Sequence, residues 1–276
     1  MKIINIVTIL IVLTISFAFS TAHARSFKSQ SLGGTTGLVC TPTGYVGWDR
    51  GPIGVDVGYH YVDDRGSLDD DTHLIKATGT FFKMLELGIT HDTQRNNDNS
   101  DWIAHGKLQF FGTKSSGKSA LAIGGNYQHL QMEAGDDDDD DDGKKTYQAY
   151  QLYLAVTYPG TFFGMPSEST LVVGKTLGDE AVGVERDDVD VSIGFDLDLL
   201  PKYLKHHVHW INDFANYSYS MNAYGAVSRY RGVFNTGIRI APFIKGRFKL
   251  NIDVLFLDAL DSNRSWSAGG TLGFAF

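Results

Sequence analysis

Three histidines lie close together in the carboxy-terminal half of the chain, at His206, His207 and His209. Side chains two residues apart on a strand share one face, so His207 and His209 could bind one metal ion together. No carboxylate lies within three residues of any of them to complete such a site. We therefore interpret the three as an interfacial histidine patch, and the sequence predicts no metal site and no cofactor.

Serines and histidines raise the question of nucleophilic catalysis. Ser218, Ser228, His60 and His105 are candidates by residue type alone. A serine nucleophile needs a base beside it and a third group that orients the base. The chain contains no nucleophile-elbow pattern. We assign no catalytic residue, and an outer-membrane hydrolase that acts on lipid is kept as an alternative function.

An unbroken run of aspartates, Asp136 to Asp142, stands between Gly135 and Gly143. Carboxylates are ligands that Ca²⁺ prefers, but the run lacks the glycine-punctuated spacing of a calcium loop. It predicts a solvated surface loop. The run supplies nearly all of the formal net charge of −8, and an acidic balance of this kind argues against a nucleic-acid partner.

The elements that position these residues are segments in which apolar and polar residues alternate. Val55 and Val57, for example, share one face of a strand while Asp56 points to the other. Asn212 and Asn216 share the parity of Trp210, which predicts a bulge or a lumenal bend in the ninth segment. The segments are residues 53–61, 72–82, 84–92, 102–111, 119–131, 146–158, 168–176, 189–199, 206–219, 229–240, 247–258 and 265–276. The fold class predicted is all-β, a transmembrane antiparallel up-and-down β-barrel of about twelve strands.

Connection lengths distinguish such a barrel from a soluble β-sandwich, whose strands alternate in the same way. Most odd-numbered connections, such as Asp63 to Asp71, are long and acidic. The even-numbered ones, such as Phe82-Lys83 and Pro159 to Ser167, are mostly shorter and carry no carboxylate. Long loops on one rim and short turns on the other are typical of outer-membrane barrels. A secreted β-sandwich or a lipocalin-like barrel is the alternative fold.

Charged residues recur on the polar faces of these segments. Inside a barrel they either line a pore or form a network of ion pairs that fills it, and twelve strands leave room for a narrow channel or a plug. We expect a mostly occluded interior. The predicted lumen-lining residues are Asp56, His60, Glu86, His105, Lys107, Gln109, Asp190, Asp196, Asp198, Asp213, Arg231, Arg239, Lys249 and Asp253.

The amino-terminal end of the chain has the features of an exported protein. A basic residue precedes an apolar run from Ile3 to Phe19, and Ala22-His23-Ala24 fits the small-x-small rule for cleavage. Residues 1–24 are therefore expected to be a cleaved signal peptide. Residues 25–51 are expected to form a periplasmic segment that leads into the barrel of residues 52–276.

The carboxy-terminal end points to the bacterial outer membrane. The last segment alternates up to an aromatic end, and Phe274 and Phe276 are the expected signal that the barrel-assembly machinery reads. The expected partners are this machinery, outer-membrane lipids and lipopolysaccharide. No segment after the amino-terminal run approaches the length of a membrane-spanning helix.

The residues Gly37-Leu38-Val39-Cys40-Thr41-Pro42-Thr43 resemble the opening motif of the YjbH-like outer-membrane β-barrels, which are associated with exopolysaccharide export. The stretches Glu86–Ile89, Asn212–Tyr219 and Asn263–Trp266 also resemble sequences of this family. The resemblance implies a non-enzymatic barrel that takes part in exopolysaccharide export or envelope structure, with polysaccharide or export proteins as partners. A porin-type channel for small solutes is the alternative function.

Overall fold

Twelve antiparallel strands close into a barrel in the computed structural model, which confirms the predicted fold. The structure describes residues 28–64, 70–94, 100–112, 119–133, 144–178, 189–217, 232–260 and 265–276. Two short strands, β1 (Ser29–Gln30) and β2 (Thr36–Gly37), pair with each other ahead of the barrel strands in sequence. The barrel strands are β3 (Ile53–Asp64), β4 (Asp70–Phe81), β5 (Leu85–Gln94), β6 (Ser100–Phe111), β7 (Ala120–Glu133), β8 (Lys144–Phe162), β9 (Met165–Gly178), β10 (Val189–Asp198), β11 (Val208–Ala215), β12 (Val233–Lys245), β13 (Phe248–Leu257) and β14 (Ser265–Ala275).

One short helix, α1 (Pro201–Leu204), connects β10 to β11. In the part of the chain that the structure describes, no helix is both long and apolar enough to cross a bilayer.

The barrel closes where its last strand, β14, pairs with its first, β3. The register at this seam places Ala275 opposite Gly54 and Trp266 opposite Asp63. Both ends of the barrel chain therefore lie at one rim. We call it the periplasmic rim, because short turns mark the periplasmic side of bacterial barrels. The opposite end is the outer rim.

A tight turn joins β8 to β9 at the periplasmic rim. Phe163 and Gly164 form it with positive φ angles of 48° and 74°. The longer turn predicted over Pro159–Ser167 is wrong, because β8 continues to Phe162 and Pro159 lies opposite Glu168. The fixed φ of proline is compatible with an extended strand, so the alternation continues through it.

The strand β11 keeps a regular register, so the bulge predicted at Asn212 is wrong. Thr236 donates a hydrogen bond to Asn212 Oδ1 at 2.6 Å, and Trp210 Nε1 donates to Thr236 Oγ1 at 2.9 Å. The first bond satisfies the amide oxygen of Asn212 without a break in the ladder. A register shift occurs instead on β12 around Pro242, which has no N–H to donate to the neighbouring strand.

Large apolar side chains cover the outside of the barrel. Val57, Ile75 and Leu152 are 53%, 57% and 63% exposed, and they alternate along their strands with inward residues such as Asp56. An apolar band of this extent is unfavourable in water and matches the hydrocarbon core of a bilayer. The chain is therefore a transmembrane β-barrel of the bacterial outer membrane.

Residues 28–48 lie inside the barrel, and we call this segment the plug. All of its residues are buried except Lys28 and Gly33, which are partly exposed. The expectation that residues 25–51 form a periplasmic segment fails for this described part. The physical reason is that inward side chains of the barrel bind the polar backbone groups of the plug.

The plug follows a hairpin-like path with both ends near the periplasmic rim. It starts at Lys28, whose carbonyl accepts a hydrogen bond from Lys249. It reaches the apolar residues of the barrel interior with Leu32 and Leu38. Beyond the plug the chain returns to Gly51, where an added Cβ would lie 2.3 Å from the carbonyl oxygen of Phe276 at the chain end.

Candidate functional site

The predicted lumen-lining residues surround the plug. Arg231 lies outside the described residues. The others are all buried on the inward faces of their strands: Asp56, His60, Glu86, His105, Lys107, Gln109, Asp190, Asp196, Asp198, Asp213, Arg239, Lys249 and Asp253. Most of the charged ones belong to three ion-pair groups and one carboxylate cradle, which together hold the plug.

The first group is the ion pair between Glu86 on β5 and Lys107 on β6, with Lys107 Nζ 3.1 Å from Glu86 Oε1. The Thr36 N–H and hydroxyl donate to the carboxylate at 2.8 and 2.5 Å, and the Gly47 N–H donates at 3.0 Å. Lys107 also donates to the Thr36 carbonyl at 2.9 Å. Buried charges are costly unless paired and hydrogen-bonded, and here the plug supplies those bonds.

The second group centres on Arg239 of β12. Its guanidinium donates to both oxygens of Asp253 on β13, at 2.9 Å from Nε and 3.0 Å from Nη2. Such a two-point contact is strong and fixes the orientation of the arginine. The remaining N–H groups donate to the plug carbonyls of Gly37 at 2.9 Å and Leu38 at 3.2 Å. His60 on β3 stands 3.5 Å from Asp253 and completes the group.

The third group lies closer to the periplasmic rim. Lys249 Nζ donates to Asp56 Oδ2 at 2.9 Å and to the plug carbonyls of Lys28 and Gly47 at 2.9 and 3.0 Å. Trp48 Nε1 donates to Asp56 Oδ1 at 3.0 Å. The Lys249 ammonium also lies 4.5 Å from the centre of the Trp48 ring, within the range of a cation–π contact.

The cradle is formed by Asp213 of β11, which binds two consecutive amides of the plug. The N–H groups of Cys40 and Thr41 donate to its Oδ2 at 2.7 and 2.9 Å, and Asn235 donates to its Oδ1 at 2.8 Å. The Thr41 hydroxyl lies 2.7 Å from the Ser192 hydroxyl on β10. The tip of the plug is thereby fixed to strands of the carboxy-terminal half of the barrel.

Apolar contacts hold the plug against one side of the interior. Leu32, Leu38, Val39 and Cys40 are buried in a common cluster with barrel residues. Full burial of a Leu or Val side chain contributes about 1.5–3 kcal/mol. The barrel residues of this cluster are Val62, Leu74, Ile211, Leu255 and Leu257.

The plug leaves little free space around Tyr45. Lys28 Nζ lies 3.1 Å from the centre of the Tyr45 ring. Burial, together with the negative charge of Glu168, raises the pKa of Tyr45 far above its ordinary value, so its phenol is neutral. A cavity of about 10 Å³ lies between Lys28, Tyr45, Glu168 and Arg239, which is room for about one water molecule.

The three histidines find separate partners. His209 faces the interior, with Nδ1 2.6 Å from Asp196 Oδ1, and His206 pairs with Asp198. His207 donates from Nδ1 to a backbone carbonyl at 2.6 Å. Within the described ranges, no group of three or more His, Cys, Asp or Glu side chains could hold a metal ion. The partner aspartates belong to the neighbouring strand β10, so proximity in sequence did not indicate them.

The candidate catalytic residues do not form a site in the described part of the chain. Ser218 and Ser228 lie outside it, as does the run Asp136–Asp142. His60 belongs to the Arg239 group. His105 is buried on β6, and neither of its ring nitrogens has a hydrogen-bond partner among the described residues.

The carboxy-terminal phenylalanines face away from the interior. The Phe274 ring packs edge-on against Phe248 at 5.2 Å, and Phe276 is 64% exposed. The Phe276 N–H donates to the Ile53 carbonyl at 2.8 Å, which fixes the chain end beside β3. That the assembly machinery reads these two side chains stays a prediction.

Several residues that hold the plug were missed by reasoning from sequence. Lys76 of β4 donates to the Ser31 carbonyl at 2.8 Å, and Thr157 of β8 accepts from the Gly44 N–H at 2.8 Å. Lys76 lies on the polar face of its segment, so parity alone could have indicated it. Thr157 is uncharged, and the sequence around it carries no comparable signal.

No protein-family model matches this chain, and no curated protein matches it. Among solved structures, a KdgM porin is similar with a TM-score of 0.50 at 8% identity, over 80% of this chain and 99% of that chain. The β domain of the Bordetella autotransporter BrkA gives 0.49 at 10% identity, over 83% and 100% of the two chains. The outer-membrane protein Omp33 of Acinetobacter baumannii gives 0.43 at 12% identity, over 82% and 98%. At these identities the similarity concerns the barrel fold alone.

Proposed function

We propose that this protein is a channel of the porin class that its own plug closes, and that small solutes pass when the plug moves aside. The observation that carries the proposal is how the plug is held. Charged side chains of the barrel, among them Glu86, Asp213 and Arg239, bind backbone atoms of the plug. The same side chains would line a hydrophilic lumen once the plug had moved.

The alternative to a closed channel is a barrel that is filled permanently. Small barrels are filled by their own side chains, whose polar and charged groups satisfy one another. Here Lys107 and Lys249 are buried and depend on plug carbonyls, and water can replace those carbonyls after the plug moves. The attachment is non-covalent throughout the described residues, so the closed and the hydrated states can both satisfy the charges. The fold similarity to a KdgM porin supports the same class.

The test is to lock the plug in place reversibly. The hydroxyls of Thr41 and Ser192 lie 2.7 Å apart, which is close to the geometry that a disulfide requires. The variant Thr41→Cys/Ser192→Cys is made in a Cys40→Ala background, and single-channel currents of the full chain are recorded in planar bilayers. We expect discrete openings under reducing conditions and none after oxidation.

The controls are the two single-cysteine variants in the same background, whose currents should not depend on the redox state. Equal conductance of the double variant before and after oxidation would show that current does not require movement of the plug tip. A complete absence of discrete openings in the wild-type chain at any voltage would overturn the channel itself.

Export of exopolysaccharide is a second candidate function. The residues that resemble the YjbH-like opening motif form a part of the plug that the barrel holds directly. Arg239 binds the Gly37 and Leu38 carbonyls, and Asp213 binds the Cys40 and Thr41 amides. The test is secreted polysaccharide in a strain that lacks the protein, complemented with wild type or with Asp213→Asn. Export predicts loss of secretion in the deletion strain and recovery with wild type; unchanged secretion contradicts it.

A further inference from the structure

Residues 31–35 of the plug form a tight turn, which we call the plug turn. The Gly34 N–H donates to the Ser31 carbonyl at 3.1 Å, and Gly34 has a positive φ angle of 92°. Lys76 of β4 donates to the Ser31 carbonyl at 2.8 Å. Thr78 of the same strand donates to the Gly34 carbonyl at 2.9 Å. The plug turn is thus fixed to the barrel wall on its β4 side.

The plug turn also packs against a threonine of β5 and a histidine of β6. A Cβ at Gly34 would lie 2.3 Å from Oγ1 of Thr90 and 3.1 Å from Cε1 of His105. A Cβ at Gly88 of β5 would lie 2.4 Å from the same carbon of His105. The imidazole is therefore in close contact with glycine backbone on two sides, one of which belongs to the plug.

Three polar atoms at this contact have no hydrogen-bond partner among the described residues. They are both ring nitrogens of His105 and Oγ1 of Thr90. His105 is 5% exposed and Thr90 is fully buried. A buried polar group without a partner costs about 1–3 kcal/mol, and water would satisfy all three atoms if the plug turn moved away. The closed state is therefore destabilised at this contact relative to a hydrated one.

His105 differs in this respect from two other interior histidines. His60 Nε2 lies 3.5 Å from Asp253, and His209 Nδ1 lies 2.6 Å from Asp196. A proton added to either of those rings would face a carboxylate in the closed state. A protonated His105 would have two N–H groups to donate, with an acceptor for neither among the described residues.

The charged side chains that act on His105 are one carboxylate and two ammonium groups. They are Glu86 of β5, Lys107 of β6 and Lys76 of β4. Glu86 already forms an ion pair with Lys107 and accepts hydrogen bonds from the plug. From β7 the uncharged Asn126 stands opposite His105, and the plug turn contains no titratable side chain. In the closed state a proton on His105 would thus be a third buried cation beside one carboxylate.

We propose that acid releases the plug, and that protonation of His105 is the event that displaces the plug turn. This inference rests on the proposed channel function. An imidazolium needs an acceptor at each nitrogen, and movement of the plug turn brings water to both. The proton therefore binds the open state in preference to the closed one, and acid shifts the equilibrium toward opening.

The pH range of the effect follows from the open state. A hydrated imidazole has an ordinary pKa of about 6.5, so the closed state keeps its full stability above that pH and loses it as the pH falls further. The ratio of open to closed channels should rise about tenfold between pH 7.5 and pH 5.5 on this basis.

The experiment is the ratio of open to closed time of single channels of the full chain in planar bilayers, at pH 7.5 and 5.5. We expect the tenfold increase for wild type and none for His105→Gln, because an amide takes up no proton. The control is His73→Gln. His73 Nδ1 lies 2.7 Å from the Tyr59 hydroxyl on the outside of the barrel, so this variant should keep the increase.

A second variant tests the contact itself at neutral pH. Gly34→Ala places a Cβ against Thr90 Oγ1 at a φ angle that L residues rarely adopt, so the plug turn must shift. We expect a larger ratio of open to closed time than in wild type at pH 7.5. A ratio no larger than that of wild type would contradict a release that starts at the plug turn.

A third measurement does not depend on current. Cys40 is the only cysteine of the chain and is buried in the plug, so its alkylation by a water-soluble maleimide reports exposure of the plug. The rate is divided by that of the urea-unfolded chain at the same pH, which removes the pH dependence of the thiol itself. We expect this relative rate to rise at pH 5.5 in wild type and in His73→Gln, and to stay constant in His105→Gln.

The outcomes separate the two proposals. Discrete currents whose ratio of open to closed time does not change with pH, or changes equally in His105→Gln, overturn acid release and leave the channel intact. Absence of current at both pH values overturns the channel. A relative alkylation rate that is then equal at both pH values overturns acid release as well.

Discussion

At the scale of single residues, glycines on inward faces make room for the plug. Gly54 is the clearest case, because a Cβ there would lie 2.2 Å from Cγ of Trp48, well inside contact distance. Gly106 faces outward, and a Cβ there would meet only Leu87 at 3.4 Å. The same residue type therefore has different roles on the two faces of the barrel.

The first prediction compares Gly54→Ala with Gly106→Ala. The first should destabilise the protein by about 1–3 kcal/mol, because it overfills a packed contact with Trp48. The second should change stability by less than about 0.5 kcal/mol. Urea unfolding of the vesicle-inserted protein, followed by tryptophan fluorescence, measures both. Equal effects of the two substitutions would contradict the placement of Trp48 against β3.

The second prediction concerns the Arg239–Asp253 pair. Asp253→Asn leaves a buried guanidinium without its carboxylate and should cost about 3–5 kcal/mol of unfolding free energy. Replacing both residues, as Arg239→Met/Asp253→Leu, should recover part of the loss because no buried charge remains. The urea midpoint reports both effects. A double variant less stable than Asp253→Asn would indicate that the bonds from Arg239 to the plug carbonyls contribute more to the free energy of unfolding than its ion pair with Asp253 does.

At the scale of elements, the plug is part of the barrel interior rather than a segment outside it. Its amides at Thr36, Cys40 and Thr41 donate to buried carboxylates of the barrel. Hydrogen exchange at such amides requires that the plug separates from the wall, since their partners are buried.

The third prediction is that these plug amides exchange slowly in the folded protein. Opening should cost several kcal/mol, which slows exchange on the order of a thousandfold relative to an unprotected peptide. Mass-spectrometric hydrogen exchange resolves the segment, and Asp213→Asn should accelerate exchange at Cys40 and Thr41 more than at Thr36. Rapid exchange throughout the plug, with the strands protected, would contradict the observed attachment.

Strand alternation made much of this architecture predictable. The parity of residues such as Asp56 and Val57 indicated which side chains face inward, because a strand has only two faces. The plug could not be predicted in the same way. Its position depends on contacts between its backbone and side chains such as Asp213, 173 residues away from Cys40 in sequence. Backbone atoms carry no sequence signal, so the segment looked like a linker.

At the scale of the whole molecule, the apolar band and the plug give the tryptophans opposite environments. Trp210 lies on the outer surface at 39% exposure, whereas Trp48 is buried in the interior. Lipid acyl chains can reach the first and not the second.

The fourth prediction uses this difference. In vesicles of brominated lipid, a variant with Trp210 as its single tryptophan should lose much of its fluorescence, and one with Trp48 alone should not. The fluorescence of the same variants in non-brominated lipid is the reference, so that a difference between the two lipids reports quenching by bromine and not insertion. Quenching of the Trp48-only variant would mean that the plug segment leaves the interior in the membrane.

The contacts of the plug also bear on how the barrel is assembled. The plug is synthesised before every barrel strand, yet it binds Glu86 and Lys107 from the amino-terminal half and Asp213, Arg239 and Lys249 from the carboxy-terminal half. Contacts between residues so distant in sequence form slowly when the chain must find them by diffusion. We expect a segment that binds both halves to lower that cost, because it can hold distant strands near each other before they pair. The expected consequence is that closure of the β14–β3 seam is favoured from inside the barrel.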